Sequence, residues 1–379
     1  MKIAIYVQDM RASGVVRTMM AMARDFQRTD ETILVAGYAS GIFGAADVAP
    51  AGFAAAAERP RGPLPRLAAI PRLRRVLRDL RPDAILSGGN FGHFTLWAAT
   101  RGLGLPIVYV FSNAMERGGQ PWRNRWRRFW SGLLVRGSAG AIVVGANLAR
   151  SAVFARHVAS GKAALIPNGI DLARVPVPDG SVPPAMAGPE PVILSIGRLQ
   201  PQKNFEALIA AVAAARRSRP VRLVILGTGD PAYRETLVAR AADLGIADRV
   251  LFAWVTDNVY PWLRAARVFA LASLWEGSSI ALLEAMAAGT PIVASRAAGD
   301  AADVLDGGRF GLLADAGDAD AFAAALVRQI DDPVHPGARV RDYDATAMAR
   351  AYHAMLIAAA RRPPAGRGAR APRGTPPIR

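Results

Sequence analysis

Short apolar runs alternate with amphipathic stretches twice along this chain, and a proline-rich segment separates the two series. A short apolar run suits a strand buried on both faces, and a longer amphipathic stretch suits a helix lying on such a sheet. The alternation therefore predicts βαβ units and parallel sheets. In the first series the predicted strands are Lys2–Val7, Thr32–Ala36, Ala84–Leu86, Ile107–Phe111, Ala141–Val144 and Ala163–Ile166. Between them the predicted helices are Val15–Gln27, Leu67–Leu80, Phe94–Arg101, Trp122–Val135 and Asn147–Phe154. The second series predicts strands at Val192–Ile196, Leu223–Leu226, Val250–Phe252, Val268–Leu271 and Ile292–Ala294. Its helices are Phe205–Arg217, Tyr233–Leu244, Ile280–Ala288 and Ala319–Ile330, and Ala345–Ala360 closes the chain.

At about 100–200 residues per domain, the 379 residues agree with two domains. The expected fold is α/β, with two Rossmann-like, doubly wound lobes. The first covers 1–175, a linker 176–190 follows, and the second covers 191–344. A closing helix spans 345–360, and a Pro-, Gly- and Arg-rich tail over 361–379 is expected to be disordered. In such sheets ligands bind at the carboxyl ends of the strands, which predicts a site in the cleft between the lobes.

Composition narrows the chemistry. With no cysteine there are no disulfides, thiolate metal ligands or cysteine nucleophile. Four scattered histidines, His93, His157, His335 and His353, argue against a histidine-built zinc centre. No apolar run approaches the ~18 residues that span a bilayer, and the run after Met1-Lys2 is too short for a signal peptide. The expected location is the cytoplasm, soluble or peripheral on the inner face of the membrane. The net charge of +17 is uneven: residues 1–180 hold 24 basic and 11 acidic side chains, whereas 181–360 hold 17 and 19. A basic half beside a near-neutral half predicts an anionic partner for the first.

The most informative stretch runs from Glu276-Gly-Ser-Ser-Ile through Glu284 to Gly289-Thr-Pro291. A strand ends just before it and a helix begins near Ser279. The backbone N–H groups of Ser278, Ser279 and Ile280 then stand free of helical partners, an arrangement that suits an anion. A pyrophosphate there would have a carboxylate on either side, and carboxylates accept hydrogen bonds from the hydroxyls of a sugar or ribose. The plainer reading is a capped helix with two solvated acids. A second cluster, Gly197-Arg198-Leu-Gln-Pro-Gln-Lys203-Asn204, brings two cations to the same strand end. Arg198 as a fork and Lys203 as a point charge can neutralise a diphosphate, or both are solvated in an ordinary turn. Lys203 is one of only three lysines, so the coding bias that inflates arginine does not explain it. Ser13-Gly14 opens the first helix as a short phosphate-approach loop, and Gly227-Thr-Gly229 is a bare GxG. Neither supports a nicotinamide cofactor. Asp318 and Asp320 read as a helix cap, not a metal pair.

Taken in order, these motifs and Ile166-Pro-Asn-Gly-Ile-Asp171 resemble those of the retaining GT-B-fold nucleotide-sugar glycosyltransferases of family 4 (group 1), nearly end to end. The resemblance implies that Arg198 and Lys203 bind the donor diphosphate and stabilise the leaving nucleotide. It gives Glu284 the ribose hydroxyls, Glu276 a hydroxyl of the transferred sugar, and Gly14 with Ser278–Ile280 the phosphate. Two departures bear on donor choice: many members have two glycines where Ser13-Gly14 stands, and Gly-x-Pro where Ser278–Ile280 stands. His93, after Ser87-Gly-Gly-Asn-Phe-Gly, is read either as a group contacting the donor sugar or reacting centre or as a histidine closing a helix start. Asn113, after the next strand, is a candidate acceptor contact.

Departure of a nucleoside diphosphate needs spread positive charge more than acid–base machinery. The expectation is therefore no cofactor and no metal, with the nucleotide-sugar as co-substrate. In the basic half, Trp122, Trp126, Phe129, Trp130 and Leu133 share one helical face, flanked by Arg123, Arg125, Arg127 and Arg128. That face suits an anionic membrane interface or a phosphate-bearing, lipid-linked acceptor; the other reading is core packing. The expected activity is transfer of a sugar to a glycan or lipid-linked acceptor in cell-surface polysaccharide or glycolipid synthesis. A sugar-nucleotide isomerase or hydrolase on the same scaffold is the alternative enzyme, but it would need an acid–base pair with few candidates beyond His93. A nucleic-acid-binding protein would suit the net charge, yet the charge avoids the second lobe and no binding motif occurs.

Overall fold

The structure, a computed structural model, describes residues 1–10, 14–38, 52–55, 65–115, 120–254, 256 and 258–361. The chain separates into two compact units, one of residues 1–110, 133–141 and 352 onward, the other of 111–132 and 142–351. Both are built on parallel sheets, as the alternation predicted.

The first sheet has seven strands: β1 (Lys2–Val7), β2 (Glu31–Ala36), β3 (Gly52–Ala55), β4 (Ala84–Gly88), β5 (Ile107–Phe111), β6 (Gly140–Val143) and β7 (Ala163–Leu165), in the order β3-β2-β1-β4-β5-β6-β7. The second has six: β8 (Val192–Ile196), β9 (Arg222–Leu226), β10 (Val250–Ala253), β11 (Val268–Leu271), β12 (Ile292–Ser295) and β13 (Leu312–Ala314), in the order β10-β9-β8-β11-β12-β13. Each order reverses direction beside the first strand of its series, the doubly wound pattern. Every pairing in the second sheet is parallel, so all six carboxyl ends lie along one edge.

Strand side chains alternate between the two faces, and helices cover both. Ile193, Leu223, Ile225, Val268 and Ala270 pack with the helices Phe205–Ala215 and Ala319–Asp331. Leu194, Ile196, Phe269, Leu271 and Ala294 pack with Tyr260–Ala265, Ile280–Ala287 and Ala301–Val304. Burial on both faces explains why the strands read as continuous apolar runs.

Three differences from the sequence reading have physical causes. β3 escapes pattern analysis because Gly-Phe-Ala-Ala lacks β-branched residues and is only half buried at the sheet edge. β13 is three residues long, too short to show a period. The single helix predicted over 147–154 is two, Ala146–Ala149 and Ala155–Ala159; between them the Ser151 hydroxyl donates back to the Leu148 carbonyl at 2.7 Å and the chain turns. The closing helix is Ala345–Ala360, as predicted. The tail from 362 and Ser13 lie outside the described residues. Among the described residues no helix is long and apolar enough to cross a membrane.

Candidate functional site

The second sheet's carboxyl edge gathers most of the singled-out residues. β8 ends at Ile196, and the turn that follows is pinned on both sides of Arg198. Gly197 N–H donates to the Leu226 carbonyl at 3.1 Å and Leu199 N–H to that of Thr228 at 2.9 Å, forming an isolated bridge with Gly229. Leu199 is buried. The backbone at Arg198 is thus fixed while its guanidinium is exposed and makes no ion pair among the described residues. A 3-10 turn, Pro201–Lys203, and Asn204 in the left-handed region (φ 54°) lead into the helix Phe205–Ala215. Asparagine tolerates that conformation better than most side chains. The Lys203 stem lies across Gly197, where an added Cβ would be 2.8 Å from its Cε.

Lys203 Nζ meets Glu276 Oε1 at 2.6 Å, bridging two loops 73 residues apart. Glu276 is 8% exposed and collects further donors: the Ser273 hydroxyl donates to Oε1 at 2.8 Å and the Gln202 amide to Oε2 at 3.3 Å. Gln202 also donates to the Trp275 carbonyl at 2.8 Å, and Leu274 N–H donates to the Gln202 carbonyl at 2.9 Å. A largely buried carboxylate needs such company. The sequence does not mark Gln202 and Ser273, because a loop amide or hydroxyl carries no periodicity and only geometry reveals its partners.

Beyond Glu276 the loop passes so close to its neighbours that only glycine fits at 277. A Cβ there would lie 1.9 Å from the Ser112 carbonyl oxygen and 3.1 Å from the Asn113 nitrogen. Asn113, predicted as an acceptor contact, is thereby placed beside this loop. Ser279 stands at the start of the helix Ile280–Ala287, and its side chain makes no capping hydrogen bond. Among the described residues no acceptor meets the N–H groups of Ser278, Ser279 or Ile280, so the helix start offers three donors to an anion. The Asn168 amide donates to the Ser278 carbonyl at 3.3 Å. Glu284, in the body of this helix, lies near Tyr260; burial first, and then the Glu284 charge, pushes the Tyr260 phenol up to about 12.

The remaining two predicted residues lie in the first unit. Gly14 is the exposed first residue of the helix Gly14–Phe26, and its carbonyl accepts from the Thr18 hydroxyl at 2.9 Å. His93 begins the helix His93–Thr100 but is 1% exposed. Its Nε2 donates to the Val110 carbonyl at 3.1 Å, which leaves Nδ1 to accept from the Ser87 hydroxyl at 2.8 Å, and Tyr109 packs edge-on at 4.9 Å. Burial holds the imidazole neutral, at about 3. Both ring nitrogens are thus engaged, by Ser87 of β4 and Val110 of β5.

The Trp122 face is exposed. In the helix Pro121–Gly137, Trp122 is 82%, Trp126 65% and Phe129 61% exposed, and Leu133 is exposed as well, while Ser131, Leu134 and Val135 turn inward. Trp130 is half-buried. Trp126 stacks on Phe129 at 5.8 Å, and Arg127 is bound back to Asn124 and Gln120.

Comparison with known proteins agrees with this layout. Residues 12–174 match the family model for "Glycosyltransferase Family 4", and residues 190–332 match that for "Glycosyl transferases group 1". A lipopolysaccharide core biosynthesis glycosyltransferase, LpsE of Rhizobium meliloti (strain 1021), is 40% identical over 142 residues, 38% of this chain and 40% of that protein. A GDP-mannose-dependent alpha-(1-6)-phosphatidylinositol monomannoside mannosyltransferase of Mycolicibacterium smegmatis is 35% identical over 182 residues, 44% of this chain and 47% of its own length. The matched stretches thus span less than half of these relatives. Among solved structures, Anabaena Alr3699/HepE in complex with UDP and glucose superposes with a TM-score of 0.77 at 17% identity, covering 94% of this chain and 99% of that one. Sucrose-phosphate synthase of Thermosynechococcus elongatus gives 0.76 at 20%, with the same coverage. At such identities the superpositions establish the fold. A match to the family 4 model followed by one to the group 1 model, on two Rossmann-like parallel sheets, gives this chain the GT-B fold and the domain order of a glycosyltransferase.

Proposed function

We propose that this protein transfers a sugar from a nucleoside diphosphate donor to a glycan or lipid-linked acceptor, with retention at the anomeric carbon, in cell-surface polysaccharide or glycolipid synthesis. The observation that carries the proposal is the joining of Lys203 and Glu276 at 2.6 Å, beside the pinned backbone of Arg198 and the uncapped start of the helix Ile280–Ala287. Fixed cations and oriented N–H groups stabilise a departing diphosphate without reorganising during the reaction. The carboxylates Glu276 and Glu284 accept from donor hydroxyls. Retention comes from the resemblance to the retaining family, and it requires the acceptor hydroxyl to attack on the face from which the diphosphate departs. The LpsE and mycobacterial relatives act in glycan and glycolipid synthesis, and HepE was solved with UDP, which supports both ends of the reaction.

A thermal-shift screen of UDP-, GDP- and ADP-sugars, followed by mass spectrometry with a candidate acceptor, tests this reading. Stabilisation by one nucleotide class and a product one glycosyl unit heavier are expected; no stabilisation by any nucleotide sugar overturns it. Because Arg198 and Lys203 supply fixed positive charge, transfer proceeds without a divalent ion. Activity is expected to survive EDTA, and complete loss restored by Mg²⁺ or Mn²⁺ counts against metal independence.

The acceptor side belongs to the same proposal. The helix Pro121–Gly137 carries no acidic residue, has Arg123, Arg125, Arg127, Arg128 and Arg136, and exposes Trp122, Trp126 and Phe129. Indole rings favour the headgroup region and arginines favour anionic lipid, so this face fits an anionic membrane surface. In flotation, binding to anionic but not neutral liposomes is expected, falling with salt and with Trp122→Ser plus Trp126→Ser. Equal flotation with both lipids rejects the membrane face.

A further inference from the structure

Outside the residues assigned above, one acid stands in an unusual place. The turn Gly299-Asp300 runs against the Glu276 loop. Gly299 has φ +64°, and a Cβ there would lie 2.7 Å from the Glu276 carbonyl oxygen, so the two backbones touch. Asp300 is 2% exposed. It precedes the helix Ala301–Val304, yet its side chain does not cap that helix. Its Oδ1 and the Ser278 hydroxyl are both sealed from solvent, and neither is in a formed hydrogen bond among the described residues.

The cations around Asp300 serve other acids. Arg150 holds Asp303 with two hydrogen bonds of 2.9 and 2.7 Å. Arg339 pairs with Asp342 at 2.7 Å and donates to the Asp303 carbonyl, and Lys203 is bound to Glu276. Asp303, Glu276 and the Tyr343 phenol are the remaining ionisable groups near it. A buried carboxylate with no cation of its own is unfavourable, whereas a protonated one donates. The nearby Ser278 hydroxyl, which can donate or accept, is likewise without a formed hydrogen bond among the described residues.

We infer that Asp300 is a positioning residue: as a neutral acid buried against the Glu276 loop it shares a hydrogen bond with Ser278 and so fixes the loop from Glu276 to Ile280. The consequence for catalysis rests on reading that loop as part of the donor site; the effect on the loop itself does not. The titration agrees. Burial pushes the Asp300 carboxyl up to about 7, the Ser278 hydroxyl opposing this and Asp303 and Glu276 adding to it. Because the folded value lies above the unfolded one, the stabilisation is full below the unfolded carboxylate range and is lost as pH rises through about 7.

The test compares the full chain with Asp300→Asn, which keeps an uncharged donor, and Asp300→Ala, which keeps none. Amide exchange of the 276–280 segment, corrected for its intrinsic pH dependence, and binding of UDP and GDP are measured from about pH 6 to about pH 8.5. In the wild type, exchange is expected to rise and nucleotide affinity to fall, each by about tenfold across this range. Asp300→Asn is expected to hold the wild type's low-pH values throughout, and Asp300→Ala to be loose and weak-binding at every pH. Wild type and Asp300→Asn following the same pH course in exchange overturns the inference, as does Asp300→Ala behaving like Asp300→Asn. If no form binds either nucleotide, the donor-site reading fails instead, and the exchange data still decide the role of Asp300.

Discussion

Glu276 accepts from a lysine, a serine and a glutamine at once, and that crowding sets the cost of removing any one donor. Lys203→Ala strips the charge partner from a carboxylate that is nearly out of solvent. Breaking such a pair costs about 3–5 kcal/mol when fully buried; with Lys203 and Glu276 side chains still 17% and 11% exposed, roughly half of that is expected here. Glycosyl transfer should drop at least about a hundredfold. A double-mutant cycle with Glu276→Gln, read by urea denaturation, is expected to return a coupling energy of about 1–3 kcal/mol; additive effects would remove the pair from the account. Gly277→Ala tests the close approach to Ser112. The added methyl meets backbone instead of a yielding side chain, so a loss of about 1–3 kcal/mol with displaced loops is expected, read by melting temperature and nucleotide affinity. At this scale the sequence showed the charged residues, because Lys203 and Glu276 stand out in short motifs. It did not show Gln202, Ser273 or Asp300, whose roles exist only through what the fold brings beside them.

The closing helix Ala345–Ala360 shows what an element adds to its sequence pattern. Its amphipathic period was legible and its bounds were read correctly, but its anchors were not. At its start Ile170 N–H donates to the Tyr343 carbonyl at 2.8 Å and bridges to Asp344. Further along, His353 Nε2 donates to Asp30 Oδ2 at 2.7 Å and its ring packs on Phe26 at 5.3 Å. Burial pushes Asp30 up, but hydrogen bonds from the terminal amine, Thr29 and His353 outweigh it and hold the carboxyl below its usual range. The folded value being the lower one, the stabilisation is present above the unfolded carboxylate range and is lost as pH falls through the folded value. Asp30→Asn is therefore expected to cost about 1–3 kcal/mol at neutral pH, with the gap in melting temperature closing under acid; a gap independent of pH would refute this. The helix Pro65–Leu80 carries a similar lesson. Its Arg74 donates to the Ala99 and Arg101 carbonyls at 3.0 and 2.6 Å, closing the end of the neighbouring helix His93–Thr100, a role that no helical period reveals.

Across the whole molecule, alternation alone was enough to predict two parallel sheets, because strands buried on both faces leave an unbroken apolar signature. Elements that depart from that condition, such as the half-buried β3 and the three-residue β13, left none. The uneven charge was equally legible, while the direction of the Trp122 face was not: a helix period shows which residues share a side and not which side meets solvent. The turns after β8 and β9 are laced together by the Gly197 and Leu199 hydrogen bonds to Leu226 and Thr228. For anyone grafting loops from relatives to change which donor is used, this means that neither turn is an independent cassette: residues 197–203 and 227–229 have to be swapped as a matched set.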